Sequence, residues 1–340
     1  MIRRLFASAA AAGLLAATIA PASAQDPAAF YAGKTFTIYV GFSPGGGYDQ
    51  YARAIGRHMG KHIPGQPAVL VKNLEGGGSL RAAKFIDEVA PRDGTVIATI
   101  GRGTPFAPLL EQTGATFDAT KMTWIGSANE EVSVCAAWHT APVAKLEDLY
   151  KTEIALAGTV ASDDAVLLPR TLNGLFGTKF KTVLGYKGGT EMNLAMERGE
   201  ADGRCGLSWS SFKSTYPHWL AEKKVVPLFQ IARQKHPDLP HLPLVTELAR
   251  NDEEKQILRM FIARQVMGRP FFGPPGIPAD RTRAIREAFL RTLSDPAFRA
   301  EADKAQLEVE PVSGEEVEAI VKEIYATPRD VLRRAADVSK

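Results

Sequence analysis

The chain has little of what builds a metal cluster: two cysteines and six histidines in 340 residues. That leaves small room for a Cys/His zinc site, and no metal or cofactor is expected. It has almost no charge surplus. Lys and Arg total 41 against 38 Asp and Glu, a formal net charge of +3, too balanced for a dedicated nucleic-acid protein. Beyond the N-terminus no run reaches the ~20 consecutive apolar residues of a membrane span. Low-complexity tracts and repeat arrays are missing. So are the standard motifs. No G-x-x-x-x-G-K-[ST] occurs, and GGGYDQ from Gly45 fails G-x-G-x-x-G at its last position. There is no G-x-S-x-G and no H-E-x-x-H. What remains is ordinary globular composition, 45% hydrophobic and 23% charged, at a length that suits two domains.

The N-terminus reads as an address. Arg3 and Arg4 precede a run of apolar and small residues, and Ala22-Ser23-Ala24 is an A-x-A cleavage site. Residues 1–24 are expected to be removed as a signal peptide, with the mature chain starting at Gln25. The signal takes two arginines and no acid with it, leaving 39 basic against 38 acidic groups. No cysteine lies near the signal to carry a lipid. The expected compartment is a periplasm, which permits disulfides. Cys135 and Cys205 both fall in strand-like segments, so pairing and two buried free thiols stay open alternatives.

The body alternates strands and helices. TFTIYVGF at 35–42 is a strand, SPGGG at 43–47 a break, and Tyr48, Ala52, Ile55 and Met59 then line one helix face. AVLVK at 68–72, the break EGGG at 75–78, and Leu80, Ala83, Ile86 and Ala90 repeat that order. TVIATIG at 95–101 is a third strand. The run at 124–138 reads as one long strand. Strands at 154–158, 180–186, 201–208 and 224–232 alternate with helices at 164–176 and 190–198. The C-terminal part is helical, with a capping box at Ser313 and Glu316. FGPPGIP at 272–278 reads as a crossing between lobes. The pattern implies α/β architecture with mostly parallel sheets flanked by helices.

The two glycine loops are the most informative feature. Each ends a strand and opens a helix, where unpaired N–H groups and the positive end of the dipole meet. Two such loops on neighbouring strands open at one sheet edge and can hold a carboxylate without Lys or Arg. Elsewhere the readings are plain. His58 and His62 suit a helix's C-terminal end. His236 and His241 read as surface groups. Asp163 and Asp164 suit a helix N-cap or one acceptor for a ligand. Arg102, after the third strand, suits either an exposed rim position or a reach into the cleft, and Arg204 is read as pairing with Asp202.

FSPGGGYDQYAR at 42–53, NLEGGGSLRAAKFI at 73–86, PRDGTVIAT at 91–99, GYKGGTEMNLAMERGEAD at 185–202, RQKHPDLPHLPLVTEL at 233–248 and FFGPPGIPADRTRAIREAF at 271–289 together resemble the Bug family. These are periplasmic solute-binding proteins of tripartite tricarboxylate transporters. The resemblance implies a two-lobed Venus-flytrap fold without catalytic activity. Lobe I would combine 25–128 with 266–340, and lobe II would span 129–265. A small carboxylate would bind between them, and the partners would be integral-membrane transporter subunits. A monomer is expected. By this resemblance Phe42, Ser43, Gly45, Gly46, Gly47 and Asp49 form the first loop of the site, with Asp49 tying down its own loop. Gly76, Gly77, Gly78 and Ser79 form the second. Ser162, Asp163, Lys187, Gly188, Gly189, Thr190 and Asp202 would select the ligand's other end. This chain departs from the family pattern at GTVASDDAV, where Asp163 stands near a usual hydroxyl and Val166 near a usual His. It also has Glu75 where Pro is common. An acidic Asp163 argues for a monocarboxylate, an amino acid, or a hydroxylated or aromatic acid rather than citrate. A ligand sensor for a two-component receptor and a periplasmic enzyme on organic acids are the alternatives.

Overall fold

The computed structural model describes residues 26–110, 113–161 and 163–339. The signal segment and Ser162 lie outside the described residues. Two sheets form the frame. The first holds β1 (Thr35–Val40), β2 (Ala68–Asn73), β3 (Val96–Thr99), β4 (Thr123–Ser127), β10 (Pro270–Gly273) and β11 (Val312–Ser313), in the order β11-β4-β10-β3-β1-β2. The second holds β5 (Ser133–Trp138), β6 (Ile154–Ala157), β7 (Phe180–Val183), β8 (Gly203–Ser208) and β9 (Val225–Ile231), in the order β7-β6-β8-β5-β9.

Each sheet has a parallel core, β2-β1-β3 in one and β7-β6-β8 in the other. The expectation of mostly parallel sheets holds only there. The other pairings, made by β4, β5, β9, β10 and β11, are antiparallel. The chain changes lobe after β4 and before β10. The strands beside those crossings therefore enter against the parallel direction.

Helices cover both faces of the first sheet. α1 (Pro27–Tyr31), α2 (Gly47–Met59), α9 (Ala279–Ser294) and α10 (Pro296–Lys304) pack one side, where Phe36, Ile38, Val40, Ile55 and Phe289 are buried. α3 (Leu80–Glu88) and α11 (Gly314–Tyr325) pack the other, over Val96, Ala98, Trp124 and Phe272. Alternation along β1 sends Phe36, Ile38 and Val40 to one face, as period two demands. The capping box at α11 is present, with Ser313 and Glu316 bonded to each other's backbone N–H. His58 and His62, at and beyond the C-terminal end of α2, meet Glu301 and Asp295.

In the second lobe, α4 (Asp164–Phe176), α5 (Gly189–Glu197), α6 (Trp209–Thr215), α7 (Pro217–Ala221) and α8 (Asp252–Ala263) surround the sheet. Cys135 on β5 and Cys205 on β8 are joined as a disulfide, which closes one of the alternatives above. The four tryptophans are all buried.

The run at 124–138 is two strands in two sheets, not one. Between them, 128–132 crosses beside the returning segment 264–269. The two are stitched by Ala128 N to Arg269 O, Gly268 N to Asn129 O and Glu131 N to Gln265 O. Arg269 and Glu131 form a fully buried ion pair at 2.8 Å. The apolar pattern is equally strand-like on both sides of this crossing, so the sequence alone hides it. FGPPGIP is likewise no crossing. It carries β10 into the turn before α9, within one lobe. A third crossing occurs at 326–328, after which α12 (Arg329–Val338) packs on α4 and α8 of the second lobe. Ala335 and Val338 join that lobe's core, and Thr171 and Ser339 share a hydroxyl bond.

Candidate functional site

The lobes meet over a cavity of about 100 Å³. Three helices begin at its wall: α2 at Gly47, α4 at Asp164 and α5 at Gly189. Helix N-termini carry partial positive charge and orphan N–H groups. The ends of α2 and α5 carry no side-chain cap, whereas Asp163 already caps α4, so two of the three ends are open to negative charge. The loop before α2 contributes Phe42, Gly45 and Gly46 beside Gly47, and the α5 end contributes Gly189 and Thr190.

Asp49 does not face the cavity. Its carboxylate accepts from Gly45 N at 2.9 Å, Asn73 Nδ2 at 2.8 Å and Arg53 Nε at 2.9 Å. Burial alone would raise its pKa, but these hydrogen bonds outweigh it and hold the carboxyl below its ordinary range. It fixes the first glycine loop, the role read for it in the sequence. Ser43 is buried and donates from Oγ to Glu191 Oε2 at 2.9 Å, bridging the lobes. Gly188 packs against the same hydroxyl, where a Cβ would come within 2.9 Å. Neither residue lines the cavity, but both hold its two walls together.

The second glycine loop does not reach the cavity. Gly76, Gly77, Gly78 and Ser79 follow β2, which is the edge strand of its sheet. The loop after β3, on the other side of β1, takes the expected place. Gly101, Arg102, Gly103 and Thr104 line the cavity there. Ser79 supports that loop from behind, its Oγ accepting from Gly101 N and sharing a 2.7 Å bond with Thr104. Lys187 is exposed and pairs with Glu75 at 3.4 Å across the lobes, outside the cavity. Asp202 precedes β8, while the cavity lies at the strand's other end, at Ser208. Its carboxylate accepts from Ala155 N, and Arg204 is not its partner.

Asp163 does line the cavity. It caps α4, which bears out the N-cap reading, and also accepts from Thr159 Oγ1 at 2.7 Å. Burial pushes its pKa up. Asp164 lies beside it and pairs with Arg264 at 2.6 Å and with Arg102 at 3.4 Å.

Arg204 and Arg269 are what sequence reasoning missed, and of the two readings of Arg102 the exposed rim falls. Arg102 is 4% exposed, and its guanidinium donates to Ser133 and Ser208 across the lobes. Arg204 is 7% exposed, and burial drives its pKa down to about 10. Arg269 also lines the cavity. Aromatic residues add an apolar wall. Phe42 stacks on Tyr48 at 4.7 Å from the first lobe, and Phe212 and Tyr216 lie on the second. A signal for Arg102 existed in its place after a parallel-core strand next to β1. Arg204 and Arg269 gave none. Among the described residues no group of three or more His, Cys, Asp or Glu is placed to hold a metal ion, and no helix is long and apolar enough to cross a membrane.

Two mixed α/β sheets joined by crossings, with a cavity between the lobes, form a periplasmic-binding-protein fold. The solved structures that share it include the periplasmic binding protein BugD, at 20% identity and TM-score 0.72, covering 89% of this chain and 97% of that one. Rpa4515 of R. palustris, solved with adipate, matches at 18% identity and TM-score 0.70, covering 89% and 97%. MatC of Rhodopseudomonas palustris, solved with bound malate, matches at 19% identity and TM-score 0.69, covering 90% and 99%. No family model matches the sequence, and no curated protein matches it.

Proposed function

We propose that this protein is a periplasmic solute-binding protein that captures a small carboxylate between its lobes and delivers it to a tripartite tricarboxylate-type membrane transporter. The observation that carries the reading is the interlobe cavity with two uncapped helix N-termini and buried arginines on its wall. That is an anion site in a low-dielectric setting. Rpa4515 and MatC, with this fold, were solved with adipate and malate. The site is read as Phe42, the Gly45–Gly47 loop, Asp163, Gly189 and Thr190, joined by Arg102, Arg204 and Arg269. Ser43, Asp49, Ser79 and Gly188 serve as supports. The lobes divide at about 128 and about 266, with α12 strapped back onto the second. The protein acts without turnover and is exported by removal of residues 1–24.

A thermal-shift screen of organic acids, followed by calorimetry on each hit, tests the reading. Carboxylates that raise the melting temperature, with no product formed, support it. A flat screen refutes it, and product formation points to an enzyme instead. Loss of uptake in a deletion strain would separate transport from ligand sensing. The mass of the protein recovered from the periplasm checks cleavage after Ala24.

A further inference from the structure

Four guanidiniums stand at or just behind the cavity wall, and their partners are unequal. Arg269 is paired with Glu131 at 2.8 Å. Arg264 and Arg102 share Asp164. Arg204 has no carboxylate within salt-bridge distance among the described residues. Its Nη1 donates to Gly189 O at 3.2 Å and to Asn193 Oδ1 at 2.9 Å, both neutral. Its Nε is buried without a hydrogen-bond partner, and none is recorded for Nη2 among the described residues. The free edge of this guanidinium is therefore the Nε–Nη2 side, one of the two edges on which an arginine takes a carboxylate bidentately.

The surroundings favour an anion there. A Cβ at Gly189 would lie 3.3 Å from Arg204 Nη1, so the arginine sits against the start of α5. That helix end has no side-chain cap. Asp163 is the acid that acts most strongly on Arg204, yet it forms no ion pair with it, so this one guanidinium edge stays open. A buried donor without a partner is costly, and one carboxylate on that edge would satisfy it. The nearby wall is apolar: Met192, Leu207, Phe212 and Tyr216.

We propose that Arg204 is the anion anchor of the site, and that the ligand is a monocarboxylate whose acid group sits on the Nε–Nη2 edge of Arg204 at the start of α5, with an apolar or aromatic body against Phe212 and Tyr216. The anchor thus belongs to the second lobe, not to the glycine loops of the first. This inference rests on the carboxylate-binding reading above and narrows it.

The test uses the mature protein and calorimetry with benzoate and phenylacetate, their amides, and malate and adipate. Wild type is expected to bind a monocarboxylate and to reject its amide. Arg204→Gln is expected to weaken monocarboxylate binding about 100-fold, the usual scale for removing one partner of a buried charge pair. Its amide binding is expected to change little, so the preference collapses. A merely structural role would weaken both ligands alike. Arg204→Lys, which keeps the charge but loses the side-on edge, is expected to fall between the two. Circular-dichroism melts establish that each variant is folded. Monocarboxylate binding by wild type that persists in a folded Arg204→Gln overturns the anchor and leaves the carboxylate reading standing. Dicarboxylates that bind more tightly than the monocarboxylates overturn the single-charge assignment. If no acid binds wild type, both the anchor and the function proposed above fall.

Discussion

Gly46 and Gly47 are adjacent and chemically identical, yet they carry different constraints. A Cβ at Gly46 would make only ordinary contacts, with Ser43 O and Thr190 Oγ1 at 3.8 and 3.9 Å. A Cβ at Gly47 would run into Ser211 of the opposite lobe. Gly47→Ala is therefore expected to oppose closure and weaken ligand binding by about tenfold or more. Gly46→Ala is expected to change it less than threefold, and calorimetry on the pair compares them. Asp49 offers a second test. Asp49→Ala removes a carboxylate with three donors and is expected to cost about 2–3 kcal/mol, near 5 °C in melting temperature. Its native pKa is depressed, so its contribution is present above the unfolded carboxylate value and is lost as pH falls through the folded one. The gap between wild type and Asp49→Ala should thus narrow in acid, which melts at pH 7 and pH 3 would reveal. The residue scale is also where the sequence was least legible. An arginine at 204 or 269 becomes a cavity wall only when distant strands converge. Nothing local distinguishes it from a surface arginine.

Among elements, most strands and helices were legible because hydrophobic period and glycine breaks agree along the chain. Two failures share a cause. The run at 124–138 splits between sheets, and the second glycine loop follows an edge strand. Each depends on strand order, which periodicity does not encode. The disulfide between β5 and β8 spans a sequence separation of 70 residues. A loop of that length corresponds to about 4 kcal/mol of unfolded-state entropy. Chemical denaturation with and without reductant is expected to show a loss of roughly 2–4 kcal/mol on reduction. No measurable change would mean the bond adds nothing to the packing already there. Removing residues 328–340 deletes α12 and exposes the surfaces of α4 and α8 that cover Ala335 and Val338. That truncation is expected to lower stability by about 3–5 kcal/mol, again read by denaturant melts.

For the whole molecule, the near-neutral total charge includes several ion pairs buried at the cavity. The sequence suggested that an anion could be held by backbone alone. The structure places buried arginines at the cavity, where Asp164 pairs with Arg102 and Arg264 and Glu131 pairs with Arg269. Ligand is expected to stabilise the closed arrangement by mass action. At a hundred times its dissociation constant it adds about 2.7 kcal/mol, roughly 5 °C for a chain of this size. A titration of melting temperature against ligand concentration, following that logarithmic form, checks a single site per chain.

The position of α12 has a consequence for how the molecule is made. The second lobe's strands end at Ile231, yet its core takes in Val338. That lobe cannot finish packing when its own stretch of chain emerges. It must wait for the first lobe's returning segment and then for the last helix. More than one hundred residues separate Ile231 from Val338, so completion of this lobe's core is expected to be a late, long-range step of folding. Such a delay would suit the export proposed above, in which a chain is threaded through a membrane before it folds.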